Sequence, residues 1–333
     1  MFRKSLAVSA FAGLLAAAGL SAPAEASLTN LASFTGNVGL SSDGCGSTSQ
    51  ACSVTINAPT GSTVLAAYLY TSTFSFSGPL SAADVNGTTL DGNALTFTSL
   101  GTNSEACCSL TAFRSDVTSI VAPIINSSAL TSFTFDITEV HGGQDGEALL
   151  VVFENAALPV SSVGILDGFS LSGGDTTSIL FSSPLDPTAP GFQAEMRIGD
   201  GFSCCGQAST IAVNGTTITE SAGNNDDGLG GTSNGQLFTM GGDDDPFSPF
   251  LPTYEEDHER YNLVPQITAG DTRIDIVTTN SSFDDNIFVA AFLVTGEATF
   301  DDNTDNDVPE PASLLILGAG LAGLSFARRR LAA

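Results

Sequence analysis

Positive charge is scarce in this 333-residue chain, in which nine Lys and Arg residues face 36 Asp and Glu residues. Between residues 27 and 308 there is no lysine, and four arginines stand against 34 carboxylates, a net charge of −30; they are Arg114, Arg197, Arg260 and Arg273. Nucleic-acid binding needs cations that replace counterions at phosphates. An anionic membrane surface also repels so acidic a protein. Both classes of partner are excluded.

Residue types that build enzyme sites are also rare. The two histidines, His141 and His258, form neither an HExxH motif nor any paired-His spacing, so a His-rich zinc site is not predicted. Residues 168–172 do not form a GxSxG elbow, because their last position is Ser. With no Trp and four Tyr, the chain has few rings for stacking on sugars. We predict no catalytic residue; a hydrolase site assembled around His141 is the open alternative.

The body of the chain has the period of β-strands. Apolar and polar residues alternate at 133–138, which predicts a half-buried strand. Three runs are apolar on both faces, as in a strand covered on both sides, at residues 64–70, 148–153 and 287–294. Asn-Gly at 86–87 and 214–215 predicts two tight hairpins. The fold class predicted is all-β.

An internal duplication is indicated by the hairpin sequences VNGTTL at 85–90 and VNGTTI at 213–218. We therefore predict two tandem, jelly-roll-like β-sandwich domains at 27–158 and 159–300, the second with an acidic loop at 223–259. The segments AYLY, SDVT, LLVVFEN and LDGF resemble those of uncharacterised bacterial surface β-sandwich modules; they lie at 67–70, 115–118, 149–155 and 166–169. That resemblance implies no enzymatic residue.

The N-terminus has the features of a secretory signal peptide at residues 1–26. Arg3 and Lys4 precede an apolar run at 6–20, and Ala24 and Ala26 form a small-x-small cleavage pattern. Signal peptidase is the expected processing partner, and the mature chain is expected to begin at Ser27.

The C-terminus combines a Pro-Glu-Pro motif, an apolar run at 312–327 and a basic end, after an acidic linker at 301–308. The residues are Pro309, Glu310 and Pro311, then Arg328, Arg329 and Arg330. This order resembles the PEP-CTERM sorting signal of Gram-negative bacteria, here 309–333. The resemblance implies recognition by an exosortase, a transmembrane helix at 312–327 before processing, and export by a cell that makes exopolysaccharide. It implies location in the envelope or outside the cell.

Six cysteines in an exported chain predict disulfides. Cys45 and Cys52 are close enough to close a small loop. Cys107–Cys108 and Cys204–Cys205 are adjacent pairs, and bonding within each pair distorts the peptide, so pairing between the two pairs is the alternative. Their connectivity stays open.

Calcium is the metal that the sequence favours, because two Gly-rich loops carry oxygen ligands. The candidate ligands are Asp226 and Asp227 in one loop and Asp243, Asp244 and Asp245 in the other. The spacing at 301–307 imitates an EF-hand but has Asn306 and Ala312 in place of the required Gly and Glu, so it is interpreted as linker. The charge run at 254–260, which includes His258, is expected to be solvated.

Three functions are compatible with these patterns. The first is an exported, non-catalytic envelope or matrix protein associated with exopolysaccharide or biofilm. The second is a calcium-dependent adhesin that binds carbohydrate or another surface. The third is a secreted hydrolase.

Overall fold

The computed structural model describes residues 28–47, 49–103, 109–170, 173–201, 209–223, 237–253, 256–280 and 286–301. These residues are mostly β-strand, which confirms the all-β prediction. The predicted signal peptide, with Ala24 and Ala26, lies outside them, as does the sorting segment. No helix in these ranges is long and apolar enough to cross a membrane.

The strands are, in chain order, β1 (Thr29–Gly36), β2 (Val38–Gly46), β3 (Ala51–Asn57), β4 (Thr63–Ser75), β5 (Thr89–Leu90), β6 (Asn93–Ala94), β7 (Thr98–Asn103), β8 (Ser109–Asp116), β9 (Ser132–Thr138), β10 (Gln144–Glu154), β11 (Ser161–Asp167), β12 (Thr176–Phe181), β13 (Ala194–Gly201), β14 (Ser209–Val213), β15 (Thr216–Ala222), β16 (Phe238–Met240), β17 (Arg260–Asn262), β18 (Arg273–Asn280), β19 (Asn286–Thr295) and β20 (Ala298–Asp301). Two short α-helices, α1 (Ala82–Val85) and α2 (Thr118–Asn126), and a 3-10 turn at Val264–Gln266 complete the described elements.

The strands form four sheets. Sheet 1 has the order β3-β9-β5-β6 and sheet 2 the order β2-β10-β4-β8-β7. Sheet 3 has the order β1-β11-β19-β13-β16, with β17 also pairing with β13, and sheet 4 the order β15-β14-β18-β12-β20. Every strand pair is antiparallel where its register is described. Sheets 1 and 2 come from residues 38–154, whereas sheets 3 and 4 come from 161–301 with β1 added.

Three apolar clusters lie between successive sheets, so that the sheets stack in the order 1, 2, 3, 4. Strand β10 shows why: Leu149 and Val151 face sheet 1, whereas Ala148 and Leu150 face sheet 3. Alternate side chains of a strand point to opposite faces, so a run that is apolar throughout fills two cores. The predictions of central strands at 148–153 and 287–294 are confirmed, because β10 and β19 each have a neighbour on both sides.

The two Asn-Gly predictions have different outcomes. Asn214 and Gly215 both have positive φ (48° and 76°) and join β14 to β15 as a tight hairpin, as predicted. The prediction at Asn86–Gly87 is wrong, because Val85 ends α1 and the hairpin turn falls instead at Asp91–Gly92, between β5 and β6. Asp91 and Gly92 have φ of 48° and 74°, the combination that a type I′ turn requires.

Candidate functional site

The predicted acidic loop at 243–245 lies where sheets 2 and 3 meet. It follows β16, and the Asp243 amide donates to the Ser42 carbonyl on β2 at 2.9 Å. Arg197 Nη1 donates to Asp243 Oδ1 at 2.7 Å, and the Ser41 hydroxyl donates to Asp243 Oδ2 at 2.5 Å. Asp243 therefore neutralises a buried arginine, and its carboxylate is already bound on both oxygens.

Two arginines hold this loop in place. Arg197, 2% exposed, also binds Glu195 Oε1 at 2.7 Å and the Ser42 hydroxyl at 3.0 Å. Arg260 donates Nη1 to the carbonyls of Asp243 and Asp245, at 3.3 and 2.9 Å. The two arginines fix the loop backbone because they bind its main-chain and side-chain oxygens. Neither arginine forms an ion pair with the carboxylate of Asp244 or Asp245.

A fourth aspartate joins the loop from the opposite sheet. A side chain at Gly242 would place its Cβ 2.7 Å from Asp244 Oδ1, 3.3 Å from Asp245 Oδ2 and 3.3 Å from Asp43 Oδ1. Oxygens of three carboxylates thus surround one point. Asp43 lies on β2, and no local pattern links it to the loop, because about 200 residues separate the two.

The pKa values of these acids reflect how close together they lie. Burial raises the pKa of Asp43 to about 7, and the negative charges of Asp244 and Asp245 contribute in the same direction. The hydrogen bond that Asp43 accepts from the Thr55 amide lowers this pKa. Burial also raises the pKa of Asp245, with Asp244 contributing in the same direction. Hard cations with oxygen ligands suit such a site. The other predicted loop, with Asp226 and Asp227, lies outside the described residues.

Cys45 and Cys52 form a disulfide, as predicted. It joins β2 to β3 and lies in the core between sheets 1 and 2. The remaining cysteines, Cys107, Cys108, Cys204 and Cys205, lie outside the described residues.

A buried pair of glutamates adjoins this disulfide. Glu147 on β10 stands opposite Cys45 on β2 and Thr71 on β4, and it is fully buried. Its Oε1 accepts the Thr71 hydroxyl at 3.2 Å and Gln144 Nε2 at 3.0 Å. Glu139, just after β9, lies close enough to the Glu147 carboxyl group to interact with it.

These two carboxyl groups hold protons strongly. Burial, reinforced by the neighbouring Glu147, raises the pKa of Glu139 to about 9. Burial raises the pKa of Glu147 to about 8, against hydrogen bonds from Thr71, Glu139 and Gln144. Neither residue is predictable from the sequence, because a Glu within a polar loop or a strand gives no sign of burial.

Within the described residues, one group of three potential metal ligands meets the distance requirement of a shared ion. The sulfurs of Cys45 and Cys52 and a Glu147 oxygen lie within 4.8 Å of one another. The sulfurs are bonded to each other and are therefore not thiolate ligands.

Within the described part of the charge run, residues 256–260, only some side chains are on the surface, contrary to expectation. Asp257 is fully buried and accepts the Thr219 hydroxyl and the Tyr261 hydroxyl, both at 2.5 Å. Glu259, also buried, accepts the Gly223 amide and the Thr239 hydroxyl. Hydrogen-bond donors from neighbouring strands compensate for the lost hydration. His258 is half-buried, and its Nδ1 lies 3.9 Å from Asp245 Oδ1.

His141 occupies a turn before β10. Its Nδ1 accepts the Gly143 amide at 3.0 Å, so this ring nitrogen supports local backbone. The hydrolase hypothesis built on His141 stays a prediction.

Comparison with known families identifies the C-terminal segment. Residues 307–330 match the family model of the PEP-CTERM protein-sorting motif. A search of curated protein sequences gave no significant match. The match covers Pro309, Glu310 and Pro311 together with Arg328, Arg329 and Arg330. The chain thus carries the PEP-CTERM sorting motif of exosortase substrates and is an exported protein sorted by exosortase.

Proposed function

We propose that this is a non-catalytic protein of the cell envelope or extracellular matrix, associated with exopolysaccharide. The observation that carries the proposal is the sorting motif at 307–330. A strongly acidic body without lysine between residues 27 and 308 suits a hydrated, highly soluble matrix component.

The body of this protein consists, in our proposal, of two β-sandwiches packed face to face. Sheets 1 and 2 enclose one apolar cluster, sheets 3 and 4 enclose another, and the faces of sheets 2 and 3 meet in a third. The N-terminal strand β1 pairs with β11 within sheet 3, whereas β2, which follows it in the chain, belongs to sheet 2. This exchange of a strand between the halves supports a single unit for display outside the cell.

The sorting step is tested in a Gram-negative host with and without an exosortase. Intact mass spectrometry of the wild-type protein should give a mature chain that starts at Ser27 and is processed near residues 309–311 only when exosortase is present. Glu310→Ala should abolish that processing. Asp302→Ala, outside the matched segment, is the control. A wild-type mass that is the same in both hosts would contradict sorting by exosortase.

Association with the matrix needs its own test. The mature protein should co-sediment with exopolysaccharide purified from a producing strain. Recovery of the whole protein in the supernatant would contradict the association.

A second candidate function is calcium-dependent binding to carbohydrate or another surface. The observation that favours it is the convergence of Asp43, Asp244 and Asp245 around Gly242. Calcium at this point would bind sheet 2 to the loop of sheet 3 and relieve repulsion between three carboxylates. Asp226 and Asp227 remain candidate ligands of the same ion class.

The calcium proposal is tested by thermal unfolding of the mature protein. Millimolar Ca²⁺ should raise Tm and EDTA should lower it. Asp244→Asn/Asp245→Asn should remove most of that response. Glu154→Gln/Glu220→Gln removes the same charge from exposed positions and should leave the response intact. If both double variants respond like wild type, the loop is not a calcium site.

A further inference from the structure

A threonine hydroxyl and a glutamine amide are buried against each other at the start of β10. Gln144, the first residue of β10, is 4% exposed, and Thr88, which directly precedes β5, is fully buried. The Thr88 Oγ1 atom lies 3.2 Å from Gln144 Oε1 and 3.1 Å from Gln144 Nε2. Because this oxygen is almost equidistant from the two terminal atoms of the amide, it faces the carbonyl carbon that joins them. A hydroxyl nucleophile and an acyl group are therefore in contact, away from solvent.

The carbonyl oxygen of the same amide accepts two backbone hydrogen bonds. The amides of Val140 and His141 donate to Gln144 Oε1 at 3.3 and 3.2 Å. The turn that carries them is held locally, because the Gln144 amide donates to the His141 carbonyl at 3.1 Å. Two backbone N–H groups aimed at one carbonyl oxygen are the arrangement that stabilises the oxyanion of an acyl transfer. Such bonds are long in the resting state and tighten as negative charge develops.

An acid lies beside the amide nitrogen. Gln144 Nε2 is 3.0 Å from Glu147 Oε1, and Glu147 is fully buried. Burial raises the pKa of Glu147 to about 8, so its carboxyl group holds a proton at neutral pH. A protonated carboxyl group at this distance can transfer its proton to a departing nitrogen. The Thr71 hydroxyl contacts the same Glu147 oxygen at 3.2 Å and lies on the nitrogen side of the amide, 3.4 Å from Nε2.

We propose that Thr88 and Gln144 react with each other to form an ester cross-link within the chain. Thr88 Oγ1 attacks Gln144 Cδ, and the negative charge that develops on Oε1 is stabilised by the two backbone amides. The bond between Cδ and Nε2 then breaks. Glu147 gives its proton to that nitrogen, which leaves as ammonia, and the proton that Thr88 loses restores the Glu147 carboxyl group. The step exchanges an amide for an ester and needs neither an oxidant nor a reductant.

The cross-link would join two sheets through residues that are 56 positions apart in sequence. Thr88 directly precedes a strand of sheet 1, and Gln144 begins the β10 strand of sheet 2. The Cys45–Cys52 disulfide joins the same two sheets through β2 and β3. A covalent link between distant residues stabilises a fold because it restricts the unfolded chain, and burial protects an ester from water. This cross-link goes beyond the proposed function and does not depend on it.

Mass spectrometry of the mature protein, after reduction and denaturation, tests the reaction. The wild-type chain should be lighter than its mature sequence by the mass of one ammonia molecule. A peptide map should contain the peptides of Thr88 and Gln144 as one linked pair, which mild alkali separates by hydrolysing the ester. Ring closure at Asn86–Gly87 or Asn214–Gly215 also releases ammonia but leaves no cross-link. A lighter chain without the linked peptides therefore overturns the proposal, and so does an unmodified mass.

Three variants assign the roles. Thr88→Val keeps the shape of the side chain and removes the nucleophile, so the mass loss and the linked peptides should both disappear. Glu147→Gln removes the proton donor and should leave most of the protein unlinked. Thr71→Val is the matched control, because it removes the other hydroxyl beside the same amide and should still cross-link. Linked peptides in Thr88→Val, or their loss in Thr71→Val alone, would refute the assignment. Should a variant fail to fold, the peptide map of the wild-type protein decides by itself.

Discussion

Arg197 on β13 donates to Asp243 in the loop after β16 at 2.7 Å, with its guanidinium almost completely buried where sheets 2 and 3 meet. The same guanidinium binds Glu195 and Ser42, so three elements depend on one cation. In a protein with so few cations, each buried arginine determines where acidic residues can pack.

Replacing Arg197 by Met should therefore be severe. Removing one partner of a buried ion pair leaves an uncompensated charge, here on Asp243, and costs about 3–5 kcal/mol. Arg273→Met is the control, because Arg273 pairs with Asp275 at an exposed position where such pairs contribute less than about 1 kcal/mol. Urea unfolding followed by circular dichroism compares the two. Similar losses would show that Arg197 is not a tertiary anchor.

Stability should fall as pH rises, in the absence of divalent cations. The pKa values of Glu139 (about 9), Glu147 (about 8) and Asp43 (about 7) are raised above their values in the unfolded chain. The protonated groups stabilise the folded protein fully below the pKa values of the unfolded chain, near pH 4. This stabilisation is lost as the pH rises through the folded-state pKa values, from 7 to 9. Tm measured in EDTA should be higher at pH 5 than at pH 9. Glu139→Gln/Glu147→Gln should reduce that difference; an unchanged slope would contradict the role of the pair.

A methyl group at Gly242 should weaken calcium binding. The new Cβ would lie 2.7 Å from Asp244 Oδ1 and would occupy the point that three carboxylates surround. We expect at least a tenfold loss of affinity, which is about 1.4 kcal/mol. Gly142→Ala is the control, since its Cβ meets nothing within 4 Å. Calcium titrations of both variants provide the comparison, and equal affinities would place the ion elsewhere.

The Cys45–Cys52 disulfide should give a modest stabilisation. It closes a short loop, with a sequence separation of 7, and loop-closure entropy for such a length corresponds to about 2–3 kcal/mol. Cys45→Ser/Cys52→Ser should lower the free energy of unfolding by that amount in chemical denaturation. Agreement with the wild-type protein treated with a reductant would assign the effect to the bond. A variant as stable as wild type would show that strand packing alone holds β2 and β3.

Local patterns in the sequence were sufficient for several of the strands. Alternation at 133–138 reappears as the alternating burial of β9, and the apolar run at 148–153 is the two-faced strand β10. The failure at Asn86–Gly87 is also instructive. The Asp84 carboxylate accepts the Ser81 amide and helps to begin α1. Val85, which would have ended the first strand of the hairpin, ends this helix instead.

The sites, in contrast, required the tertiary structure. Of the predicted aspartates, Asp243 is paired with Arg197, and the acid that completes the group around Gly242 is Asp43, far away in sequence. Glu139 and Glu147 have no distinguishing motif, and Asp257 and Glu259 looked like members of a solvated charge run.

The sequence by itself determined the destination and the fold class, because a sorting motif and the period of a strand are both encoded in a few consecutive residues. Only the stacking of four sheets decided which carboxylates meet, which are neutralised by arginine and which are buried as a pair. Those properties depend on distances between residues remote in the chain and on the loss of water around them, and neither quantity is encoded locally.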